Sequence, residues 1–289
     1  MSEQGVDPKK VRYISLVRRE GGEPVLGIPY QEMSVDPDLV ASFVLAIVIF
    51  ENRQLKTFAK EGYVVILEEG NHVLGLLIVD KVDSETPYRD ALKSIIDKFE
   101  TDYKSNLENW RGDIRPFREF ALSILCTIPY ESVDVTLVPR LVRKGGKTGG
   151  DRMTIPWSVG ETDIKLQALV GFVNGKRTIE EILQGSGFPR NESLAIFSML
   201  SHFNWVKMSR RLMDESVLKK VAEPSEVLLG VYGEPLTKIL SLCDGQKTLA
   251  QVCQQLPYSI EVVKTVVQTL IDAGAIEFSS QTVRREGQQ

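Results

Sequence analysis

Cysteine and histidine are scarce: three cysteines (Cys126, Cys243, Cys253) and two histidines (His72, His202) among 289 residues. So few, and an odd number of cysteines, exclude a disulfide framework and fit a reducing cytoplasm. They also leave no Cys/His cluster with metal-ligand spacing, so no metal site is expected. Excess positive charge is missing too. Lysine and arginine number 35 against 39 aspartates and glutamates, a net −4, which disfavours a whole-chain polyanion binder. No apolar run approaches the roughly twenty residues of a membrane span. The run Leu39 to Phe50, LVASFVLAIVIF, has twelve. The opening MSEQGVDPKK has no apolar core and does not read as a signal peptide. What is present is ordinary: 43% hydrophobic and 26% charged residues, enough for two or three globular domains.

Val11 to Arg18 alternates as a strand, Gly21-Gly22 turns, and Val25 to Ile28 returns. Asp36-Pro37 then opens a helix, with aspartate as N-cap and proline at its first position. That helix is the apolar run. Gln54 to Lys60, Tyr63 to Glu68 and His72 to Asp80 read as three strands joined by tight turns, hence antiparallel. Ser84 or Thr86 caps a long helix from Pro87 to Asn106, and Ile114 to Thr127 forms the last.

The order strand, strand, helix, three strands, helix, helix resembles the longin domain and, more distantly, roadblock domains. The resemblance covers about the first 130 residues and rests on element order, the apolar helix, EGYVVILEEGNHVLGLLIVD and LENWRGD. It implies a five-stranded antiparallel sheet flanked by helices. It also implies a scaffold of the kind that serves small GTPases and vesicle-traffic complexes; archaeal-type versions look similar and occur beside small GTPases.

Beyond Gly150 the chain repeats at an offset of seventy: Leu166 matches Leu236, Gly175 matches Gly245, Thr178 matches Thr248, Leu200 matches Leu270 and Val206 matches Ile276. Each copy reads as three helices followed by a strand that enters a wing, which resembles the winged helix-turn-helix fold. The expected class is therefore α+β, organised as a longin-like domain (1–130), a linker (131–153), a first winged-helix domain (154–212), a linker (213–223), a second winged-helix domain (224–281) and a tail (282–289).

The third helices are Arg190 to His202 and Ser259 to Asp272, where winged-helix proteins place base contacts. Their outer faces are thin in arginine, lysine, asparagine and glutamine, and Glu161 to Gln289 holds 14 basic against 15 acidic residues. Arg190, Asn191, Arg210 and Arg211 are the candidate nucleic-acid contacts; solvated surface charge is the plainer reading of them. GGKTGG at Gly145 to Gly150 is not a phosphate loop, because Leu141 stands where that motif needs glycine. It reads as linker, and no cofactor is expected. Cys243 and Cys253 match Val173 and Leu183 in the other copy and read as core. No triad, carboxylate pair or metal motif assembles, so no catalytic residue is expected.

Phe43, Ile47 and Phe50 are the candidate partner surface, because apolar residues go round the whole cylinder of that helix where one stripe would suffice to pack it. The alternative is that neighbouring elements cover its outer side. The leading expectation is a cytoplasmic, non-enzymatic interaction protein, in a homodimer or hetero-complex, that binds or regulates a small GTPase. The alternative is a DNA-binding transcription regulator with tandem winged helices and the longin-like domain as dimeriser or sensor.

Overall fold

Runs of β-branched and aliphatic residues generate the first sheet. A computed structural model describes residues 5–31, 57–60, 62–142 and 161–279. Val11–Arg18 (β1) pairs antiparallel with Pro24–Pro29 (β2), Leu16 lying opposite Leu26. Thr57–Lys60 (β3), Tyr63–Glu69 (β4) and Val73–Asp80 (β5) form a meander, and β5 pairs back onto β1. The order is β2-β1-β5-β4-β3, with every pair antiparallel.

Val73 through Val79 are all buried, so β5 is covered on both faces. One cover is Thr86–Asp102 (α1), which buries Tyr88, Leu92, Ile95, Ile96 and Phe99 at helical spacing. Gly75 lets this helix come close: a Cβ there would lie 2.6 Å from Ile96 and 2.9 Å from Leu92. Neither Ser84 nor Thr86 caps α1. Glu85 holds the N-cap position without a capping bond, its carboxylate accepting instead from Thr57 and Arg89. The helix expected to reach Asn106 stops at Asp102 and restarts as Lys104–Glu108 (α2). The helix expected from Ile114 begins as a 3₁₀ turn, Arg115–Phe117, and only then becomes Phe120–Thr127 (α3).

Two copies of one unit follow. The first is Val138–Leu141 (β6), Glu161–Phe172 (α4), Ile179–Ser186 (α5), Arg190–His202 (α6) and Val206–Ser209 (β7). The second is Val217–Lys220 (β8), Glu226–Tyr232 (α7), Glu234–Leu242 (α8), Asp244–Thr248 (β9), Leu249–Gln254 (α9), Ile260–Asp272 (α10) and Ile276–Phe278 (β10). Thr178 and Thr248 each close a full capping box, with Glu181 and Gln251 as the reciprocal partners.

Both stretches expected to be linkers carry strands. β6 lies in the described part of 131–153 and pairs with β7, Leu141 opposite Val206. β8 lies in 213–223 and pairs with β10, Lys220 opposite Ile276. The backbone repeats one bond further out. Ile179 and Glu180 donate to Leu137 and Val135, while Leu249 and Ala250 donate to Ser216 and Asp214. The offset before the first helix is thus 79, and after it 70, so the first copy holds nine more residues between its leading strand and its helices. Each strand after a third helix therefore pairs with a strand from before the first. Among the described residues no wing is formed.

The chain divides into two compact units, Met1–Ser209 and Arg210–Gln289. In the first, buried residues of the sheet, α1, α3 and the first copy make one continuous core; the second copy has its own. The expected break near residue 130 is accordingly absent from the core. The fold is α+β, with antiparallel sheets. Among the described residues, no helix is long and apolar enough to cross a membrane.

Candidate interaction surfaces

A helix that reads DNA must offer one open face to the groove. In the second copy α10 buries Val263, Val266, Val267 and Leu270, its own core stripe. In the first copy α6 buries the equivalent Ser193, Ile196, Phe197 and Leu200, and also Ala195, Ser198 and Met199. The three extra residues follow from α3 packing against α6. The Ser198 hydroxyl accepts the Glu131 backbone N–H at 2.9 Å, fixing the segment that leaves α3. The His202 ring stacks on Tyr130 at 4.2 Å, and Tyr130 in turn meets Tyr30 at 4.8 Å. Tyr30 is buried, and its hydroxyl donates to the Ile128 carbonyl at 2.6 Å. Its pKa is raised well above the ordinary tyrosine value, first by burial and then by Tyr130. The outer face of α6 is therefore occupied by this chain's own residues. In α10 the equivalents Thr265, Gln268 and Thr269 are exposed or half-buried.

The four candidate nucleic-acid contacts do not converge on a phosphate site. Arg190 is exposed and grips Glu180 with two bonds, 3.0 and 2.8 Å. That pair lowers the Glu180 pKa and raises that of Arg190, so the arginine's charge is already matched. Asn191 lines a cleft of about 470 Å³ between α1, α3, α4 and α6. Lys98, Lys165, Asp102, Glu119 and Glu192 share its wall, and both lysines are bonded to carboxylates at 2.7 Å. Three carboxylates against two paired lysines do not attract phosphate. Arg210 and Arg211 are exposed, but they follow β7 with no wing to carry them. On α10, Lys264 pairs with Asp214 at 2.7 Å and Gln268 donates to Asp272 at 3.0 Å. The candidate partner residues Phe43, Ile47 and Phe50 lie outside the described residues.

The thiols are not activated. Burial, with Glu192 adding to it, pushes Cys126 up to about 11, and burial pushes Cys243 up to about 12, so both stay protonated near neutral pH. Cys243 is core, as the repeat predicts, and Cys253 packs at its edge. Among the described residues, no group of three or more histidine, cysteine or acidic side chains could hold a metal. In the second unit exposed apolar side chains gather on α7, where Val227 is 74% and Val231 is 68% exposed, one turn apart.

One cluster escapes a sequence-only search. Asn174 accepts the backbone N–H groups of Lys176 and Arg177 at 2.9 and 3.0 Å, closing a turn in which Gly175 has φ +71°. The Arg140 side chain lies over that glycine, and Arg140 stands directly opposite Lys207 in the β6–β7 pair. The signal for this cluster is the leading strand of each copy, hidden by the nine-residue difference.

Neither a scan against protein-family models nor a search of curated proteins returns a match.

Proposed function

We propose that this chain is a non-enzymatic interaction protein whose longin-like sheet domain and winged-helix-like copies hold protein partners, with a small GTPase or a traffic-type complex as the partner class. The observation that carries the reading is the burial of Ala195, Ser198 and Met199 on α6 in the unit that also holds α3. A helix in the position of a base-reading helix is instead packed against the chain's own α3, which leaves it no open face for a groove. The sheet order and the apolar run with Phe43, Ile47 and Phe50 support the longin-like half of the proposal. The exposed valines of α7 supply apolar surface of the kind that marks protein contacts.

The test uses the full chain as bait for purified small GTPases loaded with GDP or a non-hydrolysable GTP analogue. Labelled duplex DNA is the parallel probe, at low and physiological salt. Saturable GTPase binding that resists salt supports the proposal. DNA binding that persists at physiological salt, with no GTPase bound, would overturn it, because weak phosphate contacts alone fade with counterion release.

A further inference from the structure

The two copies act as each other's control. Five positions coincide in geometry: Arg140 with Lys219, Asn174 with Asp244, Lys176 with Gln246, Arg177 with Lys247 and Lys207 with Glu277. In both copies the strand side chain lies over the turn glycine, Arg140 over Gly175 and Lys219 over Gly245. In the second copy the five residues sum to zero charge: Lys219 stands opposite Glu277, and Lys247 pairs with Asp244. In the first copy they sum to four positive charges. Arg140 stands opposite Lys207, a like-charge cross-strand pair that weakens a sheet. The neutral copy keeps the same turn and the same pairing of first and last strands, and adds β9 alongside β8, so neither shared feature needs that charge. Lys176, Arg177 and Lys207 are exposed.

We infer that Arg140, Lys176, Arg177 and Lys207 form a docking surface for an acidic peptide segment of a protein partner. This rests on the interaction-protein reading and gives that partner a chemistry. Carboxylates suit the patch because arginine binds them through two parallel bonds and lysine adds point charge. A duplex suits it less. The patch is small, and the helix beside it that would enter a groove is covered by α3.

The test is fluorescence anisotropy of a labelled glutamate-rich peptide against the full chain at low and physiological salt. The variants are Lys176→Glu with Arg177→Glu, Lys207→Ala alone, and Gln246→Glu with Lys247→Glu as the matched change in the second copy. Circular dichroism and a melting curve check that each variant is folded. We expect binding that the first variant weakens by roughly tenfold or more, that Lys207→Ala weakens less, and that the second-copy change leaves within about twofold. No binding, or equal loss from both copies' variants, overturns the inference. So does a labelled duplex that binds more tightly than the peptide at physiological salt and is lost with the same substitutions. A full chain that captures a small GTPase while ignoring the peptide removes the acidic-patch inference and leaves the interaction-protein reading standing.

Discussion

Ala195 and Thr265 occupy the same place in the two copies, yet Ala195 is 2% exposed and Thr265 lies open. Putting leucine at each separates the packing of α6 under α3 from any property of the repeat itself. At 195 the larger side chain must be forced between two helices. Overpacking of this kind costs about 1–3 kcal/mol. For a unit the size of Met1–Ser209, each kcal/mol moves the melting temperature by about 2–4 °C, so Ala195→Leu should lower it by roughly 2–12 °C. At 265 leucine projects into solvent on a helix it favours, and the change should stay within about 0.5 kcal/mol. Differential scanning calorimetry of the full chain reads both. Hydrogen exchange should also show faster exchange in Phe120–Thr127 for Ala195→Leu alone. Equal melting shifts for the two variants would refute the argument that α3 is what closes the face of α6.

Glu100 accepts backbone N–H groups from His72 at 2.7 Å and Val73 at 3.1 Å, and the Asn71 side chain at 3.1 Å. Burial raises its pKa, but these bonds outweigh it and leave the carboxyl below its ordinary 4.5. A depressed folded pKa gives stability that is complete above the unfolded value and lost as pH falls through the folded one. Acidification below about pH 4.5 should therefore loosen the β4–β5 turn, and Glu100→Gln should remove that part of the pH dependence in thermal melts. Gly175→Ala and Gly245→Ala place a Cβ at φ +71° and +82°, and each should cost about 1–2 kcal/mol in urea unfolding. Thr178→Val and Thr248→Val each remove a capping box and should cost about 1 kcal/mol in the same assay.

Strand existence was legible where apolar runs are long, as in Val11–Arg18 and Val73–Asp80, because burial on one or both faces dictates composition there. The seventy-residue offset was legible because Leu166, Thr178 and Leu200 keep their apolar or capping roles at Leu236, Thr248 and Leu270. β6 and β8 were not. Four-residue strands such as VPRL and VLKK carry too few alternations, and their pairing partners lie after three helices. The joint at α6 was also hidden. Ala195 and Ser198 look like surface residues until α3, some seventy positions earlier, is placed on them. Arg190 looked like a free cation because its partner Glu180 sits ten residues back, on the preceding helix.

Within each copy the first and last strands run side by side in opposite directions, Val138 beside Ser209 and Leu218 beside Phe278. A chain that enters and leaves a module at neighbouring points can be opened inside it without displacing the two ends. One such module already holds nine more residues than the other between its leading strand and its helices, with the same strand pairing. In the second copy that seam runs from Lys220 to Glu226, and a foreign domain, a tag or a tether spliced there would leave the paired first and last strands in place.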